Sequence, residues 1–512
     1  MMRALRLMQA AAVAGVLGCV PHAASAAKPT PPALTIPLEP LGFPVLQPKH
    51  MVSGGTMFSL SFVDDTHLLL TFNSKGLLPR LPDALPDDDD RFVTALLLEL
   101  PTGKVLAKTV WRTRDHGQYL FPIGHHRFLL RVRNKLTVLD PLGGLANGEP
   151  FAEAPFVGFD RKIGYVAISP GGDLLAIETV PPLKPKLIGA AASAAALAKT
   201  IPGAKAEVAE EATTDRAVQI HLYRLAVEQR PDARERLVAR SAGFVKAPVL
   251  INVPATAEGY LEMKKESAGV WLFDFATHDG KRLELSPFDT SCAPRPYFVS
   301  RSEFVAFGCL GGDQKAALSG FNLHGEETWI TNFSGLVPFI VAAPAAGRFA
   351  LSRVIATNPS GDLEFMLPGE LGGQEVTVMQ NFDGRILLRA QVVPLQTSAQ
   401  NFDLSPDGLS LTVLHGDRIE VYALPRPTGV DLREMKRAAQ DIPEKSDGRI
   451  LLGGVSAPEE TPVSAGKETS APVPEPVAHK LREAKPAVSV GDVERPRQPP
   501  TLIDATHPAQ PE

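Results

Sequence analysis

Short segments in which apolar and polar residues alternate dominate the chain between about residue 30 and residue 440. Residues 58–62 read Phe-Ser-Leu-Ser-Phe, and residues 409–413 read Leu-Ser-Leu-Thr-Val. A period of two is expected for a strand with one buried face. The breaks between segments contain Gly, Asp, Asn or Pro, which are typical of hairpin turns. The pattern predicts antiparallel sheets joined by hairpins.

A repeat of about 45 residues organises these segments. Gly103 and Gly148 stand about 45 residues apart in strand-turn-strand segments, and so do Gly280 and Gly325. Seven further hairpins lie upstream of such turns, at residues 58–72, 118–132, 165–179, 248–264, 296–309, 340–354 and 402–414. A propeller blade contains two hairpins in series and about 40 to 50 residues. The spacing therefore predicts an all-β fold, a seven-bladed β-propeller over residues 49–428.

The turn sequences resemble those of a known family. Residues 169–173 read SPGGD, residues 405–408 read SPDG, and T-G-K or D-G-K/R turns occur at residues 102–104, 279–281 and 383–385. These motifs resemble those of the WD40-like and TolB-like propellers of exported bacterial proteins, over roughly residues 50–425. No Trp-Asp dipeptide ends a repeat, as it does in true WD40 proteins. Because such turns need positive φ, the resemblance implies the propeller fold without an activity.

The last repeat lacks an outer hairpin, because residues 418–422 supply a third strand and the chain then leaves the sheet. A propeller usually closes its ring with a strand from the other end of the chain. We therefore expect residues 27–48 to form an extended segment in which residues 33–48 donate the closing strand. An amphipathic stretch at residues 432–440 predicts a short helix over residues 429–442 on the exterior.

Residues 1–26 have the organisation of a signal peptide. Arg3 and Arg6 precede an apolar stretch that is too short for an ordinary membrane span, and residues 24–26 form an Ala-Ser-Ala cleavage site. Cys19 follows Gly18 as in a bacterial lipobox, so a lipid anchor at Cys19 is the alternative. No transmembrane span is predicted in the mature chain. The expected location is periplasmic or secreted, or membrane-anchored through a lipidated Cys19.

The C-terminal residues 443–512 contain 12 prolines and no Phe, Tyr or Trp. Such a segment cannot bury enough apolar surface to offset its ordering entropy, so it is predicted to be a disordered tail. Export also bears on Cys292 and Cys309, which lie on segments that read as neighbouring strands. A disulfide between them would stabilise the fold by roughly 3 kcal/mol. Two buried thiols are the alternative, because the sequence does not fix strand register.

The net charge and the absence of known motifs argue against several classes of function. Lys and Arg total 52 against 57 Asp and Glu, so the net charge of -5 provides no basic field for a nucleic acid. No nucleotide-binding, zinc-protease or serine-hydrolase motif occurs, so no catalytic, cofactor-binding or metal-binding residue is assigned. The aspartate run at residues 87–90 lacks the spacing of a calcium loop and favours a solvated loop. His125 and His126 are neighbours on a hairpin tip, which favours a turn over a zinc site.

Two sets of polar residues supply further hypotheses. Arg131 and Arg133 share one sheet face, where they would either bind an anionic partner or form a solvated edge. Propeller enzymes gather polar groups from several blades in a central channel. Residues next to the predicted inner strands are candidates for that role by position alone: Asp64, Asp65, Arg161, Glu258, Glu303 and Asp403.

The first hypothesis is an exported, non-catalytic propeller that binds a protein, polysaccharide or other ligand of the cell envelope. The second is a propeller hydrolase or lyase with a polar active site in the central channel. Three or more Asp, Glu, His or Arg side chains within about 4 Å of each other in a central pocket would favour the enzyme. An apolar channel would favour binding.

Overall fold

The structure is a computed structural model of the chain. It describes residues 30–43, 58–73, 90–114, 118–132, 134–181, 217–229, 235–247, 252–277, 281–310, 315–333, 339–356, 371–393 and 401–440. The chain divides into two units, Met1–Pro458 and Glu459–Glu512. Every element below belongs to the first unit. The predicted signal peptide, Cys19, the predicted tail and the second unit lie outside the described residues.

Seven antiparallel sheets follow one another along the chain, and we number them as blades 1 to 7. Blades 1 to 3 contain β2 (Phe58–Asp64), β3 (His67–Phe72), β4 (Asp90–Glu99) and β5 (Lys104–Arg114); β6 (Leu120–Ile123), β7 (Arg127–Val132), β8 (Lys135–Leu139) and β9 (Glu153–Gly158); and β10 (Lys162–Ile168), β11 (Leu174–Val180), β12 (Val218–Gln229) and β13 (Glu235–Ala247). In each of these sheets the strands lie side by side in chain order. This is the two-hairpin blade that the sequence predicts.

The remaining blades repeat this order with two variations, in blades 4 and 7. Blades 4 to 7 contain β14 (Gly259–Ser267), β15 (Val270–Thr277), β16 (Arg282–Glu284) and β17 (Phe288–Asp289); β18 (Arg295–Phe298), β19 (Glu303–Leu310), β20 (Lys315–Asn322) and β21 (Glu327–Phe333); β22 (Ile340–Ala343), β23 (Arg348–Ala356), β24 (Leu371–Gln380) and β25 (Ile386–Val392); and β26 (Phe402–Leu404), β27 (Ser410–His415), β28 (Arg418–Ala423) and β1 (Leu34–Pro37). The predicted seven-bladed β-propeller is confirmed.

The ring closes in blade 7, where the first strand of the chain is the outermost strand of the last sheet. β1 pairs antiparallel with β28 in the register Leu34 to Val421 through Pro37 to Arg418. A backbone hydrogen bond from Leu38 N to Asp417 O, 2.8 Å long, continues the pairing. β1 lies within residues 33–48, the segment that the sequence predicts to donate the closing strand.

Apolar side chains fill the space between every pair of neighbouring blades. The described residues form seven core clusters, and each draws its residues from two adjacent blades. One cluster joins Ile36 of β1 and Ile419 of β28 to Phe58 and Leu70 of blade 1. Because every blade shares one core with the blade before it and another with the blade after it, the seven sheets make a continuous ring.

Blade 4 departs from the regular pattern on its inner side. The sequence predicts a hairpin over residues 248–264, of which residues 248–251 lie outside the described residues. The described part of its first half is joined to the start of β14 by an isolated bridge from Ala255 to Tyr260 and by hydrogen bonds from Leu261 N to Pro254 O and from Thr256 N to Gly259 O. Asn252, at the start of this segment, has a φ of 48°. Positive φ is incompatible with a regular strand. The segment from Asn252 to Ala255 therefore takes the place of an inner strand without forming a regular one.

A disulfide joins Cys292 to Cys309. Cys292 lies in the connection between blades 4 and 5, and Cys309 lies in β19. Their Cα atoms are 5.4 Å apart, within the normal range for a disulfide. Thr290 and Ser291 also bond to Cys309, because its N–H donates to Thr290 Oγ1 and its carbonyl accepts from Ser291 N. The connection is thus attached to blade 5 both covalently and by hydrogen bonds.

Two α-helices accompany the sheets in the described part of the chain, α1 (Pro141–Ala146) and α2 (Gly429–Gln440). α2 follows blade 7 and is capped by Thr428, whose hydroxyl accepts from Asp431 N while Thr428 N donates to the Asp431 carboxylate. Asp431 also pairs with Arg385 of blade 6 at 2.8 Å, and Ser302 of blade 5 donates to the carbonyl of Ala438. No helix within the described ranges is long and apolar enough to span a membrane.

Candidate ligand-binding channel

A cavity of about 970 Å³ occupies the centre of the ring, and all seven blades contribute to its wall. The first strand of a blade supplies the lining in each case except blade 4, where residues from Asn252 to Ala255 replace it. The wall runs from the beginnings of these strands, at Gln118 and Arg295, to the turns that follow them, at Gly172 and Pro406. The cavity therefore extends along the propeller axis.

The wall is mainly apolar. Its aromatic and branched side chains come from different blades and include Phe62, Phe121, Ile123, Val166, Phe298, Phe339, Ile340 and Leu404. Several of them also belong to the cores between blades, so the packing of the ring holds them in place. Proline occurs within the first strands, at Pro122 and Pro296, and it removes backbone donors from the channel edge. Such a wall favours contact with an apolar surface over hydrogen bonding to a polar chain.

Larger polar side chains interrupt this wall on several blades, including Gln118, His125, His126 and Arg127 on blade 2. Tyr165 lies in β10, and Arg295 and Tyr297 lie two residues apart in β18, so they share one face of that strand. Tyr297 packs edge-on against Phe307, with ring centroids 5.9 Å apart. This contact leaves the phenol ring anchored at the channel wall.

The tyrosine hydroxyls remain neutral at any physiological pH. Burial raises the pKa of Tyr165 to about 12, and the proximity of Tyr297 and of the Glu178 carboxylate adds to that increase. Burial also raises the pKa of Tyr297, although the positive charge of Arg295 opposes the shift. Both phenols are therefore hydrogen-bond donors and acceptors, and neither is a base or a nucleophile at neutral pH.

Asp403 is the one carboxylate in the wall formed by the described residues. Its Oδ2 accepts from Phe62 N of blade 1 at 2.7 Å, and its Oδ1 accepts from Leu404 N at 2.9 Å. Burial raises its pKa to about 7, against the opposing effect of these two hydrogen bonds. Asp403 thus links blade 7 to blade 1 where the ring closes, and both of its oxygens are engaged.

The other charged candidates do not converge in the channel. Asp64 bonds to Thr66 and His67 within its own turn, and Asp65 accepts from Asp407 N of blade 7. Arg161 donates to the carbonyl of Ala217 within blade 3. Asp64 and Arg161 thus have local roles in a turn and in a sheet, and Asp65 joins blade 1 to blade 7.

Glu258 and Glu303 connect neighbouring blades. Glu258 is fully buried and pairs with Arg301 of blade 5, which also lies 3.7 Å from Asp173 of blade 3. Glu303 of blade 5 accepts from Asn381 of blade 6 at 3.2 Å. The structure therefore separates the six candidates, and Asp403 is the one among them that lines the cavity.

The histidine pair lies on a hairpin tip, between β6 and β7. His125 and His126 both have positive φ, 65° and 60°, which is unusual for residues other than glycine. His126 Nδ1 lies 3.0 Å from the carbonyl oxygen of Val63 in blade 1, so this turn also joins two blades. No group of three or more His, Cys, Asp or Glu side chains able to hold a metal exists among the described residues.

Other sequence hypotheses concern residues that the structure does not describe. The aspartates at residues 87–89 and Arg133 lie outside the described residues, so the calcium and anion hypotheses for them stay predictions. Conversely, sequence reasoning missed Tyr165, Arg295 and Tyr297. Their one signal is position, since Tyr165 and Tyr297 stand in hairpins that the repeat identifies, at residues 165–179 and 296–309, and Arg295 directly precedes the second of these.

Comparisons with solved structures give distant likenesses. TolB from Acinetobacter baumannii is similar over 65% of this chain and 77% of that chain, with 10% identity and a TM-score of 0.29. Acylaminoacyl peptidase from Pyrococcus horikoshii is similar over 74% of this chain and 54% of that chain, with 8% identity and a TM-score of 0.39. This chain thus spans about half of that peptidase.

The Dos1 propeller is similar over 73% of this chain and 80% of that chain, with 8% identity and a TM-score of 0.34. No family model and no curated protein sequence matches the chain. The strand order and the seven shared cores make the chain a seven-bladed β-propeller.

Proposed function

We propose that this protein is an exported, non-catalytic binding module of the cell envelope, and that the central cavity is its binding site. The observation that carries the proposal is the cavity of about 970 Å³ with a mainly apolar wall and a few polar side chains. Ligand sites commonly have this size and this combination of surfaces. The signal peptide predicted from residues 1–26 and the Cys292–Cys309 disulfide support an exported location.

Binding is favoured over catalysis because the described acidic side chains do not converge in the cavity. A hydrolase or lyase in the channel needs polar groups that converge on a substrate. Asp403 is the wall carboxylate among the described residues, and two backbone N–H groups occupy its oxygens. The apolar wall, by contrast, provides binding free energy directly through burial of ligand surface.

The proposal is tested with N-phenyl-1-naphthylamine, an uncharged dye that fluoresces in apolar surroundings. We expect saturable binding of one dye per protein. Ala345→Trp and Ala167→Trp place a large ring at two lining positions and should weaken binding about ten-fold, which corresponds to about 1.4 kcal/mol. Val110→Trp is the matched control, because Val110 is exposed on the outer strand of blade 1.

Thermal unfolding of each variant establishes that the ring is intact. Weaker binding by both channel variants, with Val110→Trp equal to the wild type, supports a site in the cavity. The proposal of a binding site in the cavity is refuted if the wild type does not bind the dye, or if neither channel substitution changes the affinity for the dye.

A further inference from the structure

Arg295 carries a positive charge that no described residue neutralises. It lies in the cavity wall at the first position of β18, and its side chain is exposed. Other arginines near the channel are paired: Arg127 contacts Asp140 and Glu235 at 3.1 and 3.2 Å, and Arg301 contacts Glu258. Because no carboxylate of the described residues pairs with Arg295, its five N–H donors are available to a ligand.

Hydroxyl groups accompany this charge. Tyr297 shares a strand face with Arg295, and Tyr165 of blade 3 lies near Tyr297. Neither phenol oxygen has a hydrogen-bond partner among the described residues. Asn252, exposed in the same wall and held at positive φ, adds an amide. The four side chains offer a guanidinium group, two hydroxyls and an amide, all able to donate.

The described wall has no comparably exposed negative group that could bind a cationic ligand. Asp403 is its sole described carboxylate, and that group is buried, engaged with two N–H donors and only half ionised near neutral pH. The wall also contains polar side chains of blade 2, among them the paired Arg127, and the buried Glu178 stands opposite Tyr165 in the β10–β11 register and accepts from Val253 N at 3.4 Å. The unpaired positive charge of the described wall lies at Arg295. A ligand that matches this charge and the mainly apolar wall has one negative group and an apolar body.

Resting on the proposed function, we propose that Arg295, Tyr165, Tyr297 and Asn252 form a subsite for the carboxylate of a ligand whose apolar body lies along the channel. A single planar guanidinium group matches the two oxygens of a carboxylate in a bidentate pair. Phosphate monoesters carry nearly two charges at neutral pH and are usually held by several cations or a helix N-terminus. One unpaired arginine with neutral donors therefore favours the monoanion.

Two sources present this chemistry, a free aliphatic acid and the C-terminal residue of a peptide. Titration calorimetry of the full mature protein at neutral pH separates them with two matched pairs of probes. The first pair is octanoate and octanol, and the second is the tripeptide acetyl-Ala-Leu-Phe as the free acid and as the amide. Octyl phosphate is the fifth probe. Each pair keeps the apolar body and changes only the charge.

We expect at least one acid to bind about ten-fold or more tightly than its neutral partner, which corresponds to about 1.4 kcal/mol for the charged contact. Whichever pair shows the preference identifies the source. Arg295→Gln should lower the affinity for the acid to that for its neutral partner, so that the preference is lost. Tyr297→Phe should reduce the preference for the acid over its neutral partner by a smaller factor than Arg295→Gln does. Arg389→Gln is the control, because Arg389 is exposed on β25, an outer strand.

The outcomes are distinguishable. Dye binding in the channel without any preference for an acid overturns the carboxylate subsite and leaves the proposed function standing. If the protein does not bind the dye, both the proposed function and the proposed subsite are wrong. Octyl phosphate that binds more tightly than both acids overturns the assignment to a carboxylate. A preference that survives Arg295→Gln overturns the assignment of the charged contact to Arg295.

Discussion

Several buried polar residues in this propeller connect blades, and Asp403 does so where the ring closes. Its carboxylate accepts hydrogen bonds from Phe62 of blade 1 and Leu404 of its own blade in a buried site. Burial raises its pKa from 3.8 to about 7. The group is therefore protonated in the folded protein at pH values where the unfolded chain has lost the proton.

Asp403 should consequently make the stability of the protein fall as the pH rises. Because its pKa is higher in the folded state, its contribution is complete below about pH 4 and is lost as the pH rises through about 7. Asp403→Asn does not titrate. The free energy of unfolding in urea of the wild type minus that of the variant should be largest near pH 4.5. This difference should decrease toward pH 8, by at most about 4 kcal/mol at 1.36 kcal/mol per pKa unit. A difference that grows toward pH 8 would contradict the raised pKa.

At the scale of elements, the junctions between blades and the exit to α2 depend on a few buried contacts. Arg348 at the start of β23 is completely buried, and its guanidinium donates to the carbonyl oxygens of Gly408 and Pro425. Gly408 lies in a turn of blade 7, and Pro425 lies in the segment that leads to α2. One side chain therefore ties blade 6 to blade 7 and to the exit of the chain.

Arg348→Met should destabilise the protein by roughly 1 to 3 kcal/mol, because it leaves the buried carbonyl group of Gly408 without its donor and also removes the partly buried hydrogen bond to Pro425. The comparison variant is Arg389→Met on an exposed face of blade 6, which should change stability by less than about 0.5 kcal/mol. Urea unfolding of both variants measures the difference. Equal stabilities would show that the buried guanidinium contributes nothing to the junction.

The disulfide acts at the same scale, between the blade 4 connection and β19. Replacing Cys292 and Cys309 together by serine should lower the free energy of unfolding by roughly 3 kcal/mol under oxidising conditions, because the cross-link restricts the unfolded chain. Thiol labelling of the unreduced protein in denaturant provides the independent check. Both cysteines should resist labelling until a reductant is added, and free labelling would show that the bond is absent.

The local features of these elements could be predicted from the sequence, while their assembly in the channel could not. Alternating residues and turns such as residues 405–408 encode the hairpins, because strand period and positive φ are local requirements. Tyr165 and Tyr297 line the same cavity only after their two blades take their places in the ring. The candidate carboxylates fail for the same reason, since Glu258 and Glu303 bind side chains of neighbouring blades and do not line the cavity.

Blade 4 shows the limit of the pattern within a single element. Residues 248–264 read as a hairpin, but Asn252 has positive φ and Pro254 cannot donate a backbone hydrogen bond. Both features oppose a regular inner strand. The same irregularity places Asn252 in the cavity wall. A local departure from the repeat thus coincides with the proposed subsite.

At the scale of the whole molecule, closure converts seven similar sheets into one ring with one axial cavity along the described strands. The cavity depends on the packing of blade 7 against blade 1, through the core that contains Ile36, Phe58 and Ile419. β1 completes blade 7 with four residues that precede the other described strands in sequence. The proposed binding function therefore depends on a pairing between segments that are far apart in sequence.

A cross-link between β1 and β28 tests that closure most directly. Pro37 and Arg418 are opposite each other in the register, so Pro37→Cys with Arg418→Cys should form a disulfide on mild oxidation. Intact mass should fall by about 2 Da as two hydrogens are lost, and the dye should still bind. The control variant combines Pro37→Cys with Arg389→Cys. Because Arg389 lies in β25 of blade 6, which does not pair with β1, these two cysteines should remain reduced. Failure of the first pair to cross-link, or equal cross-linking of both pairs, would contradict a ring closed by β1.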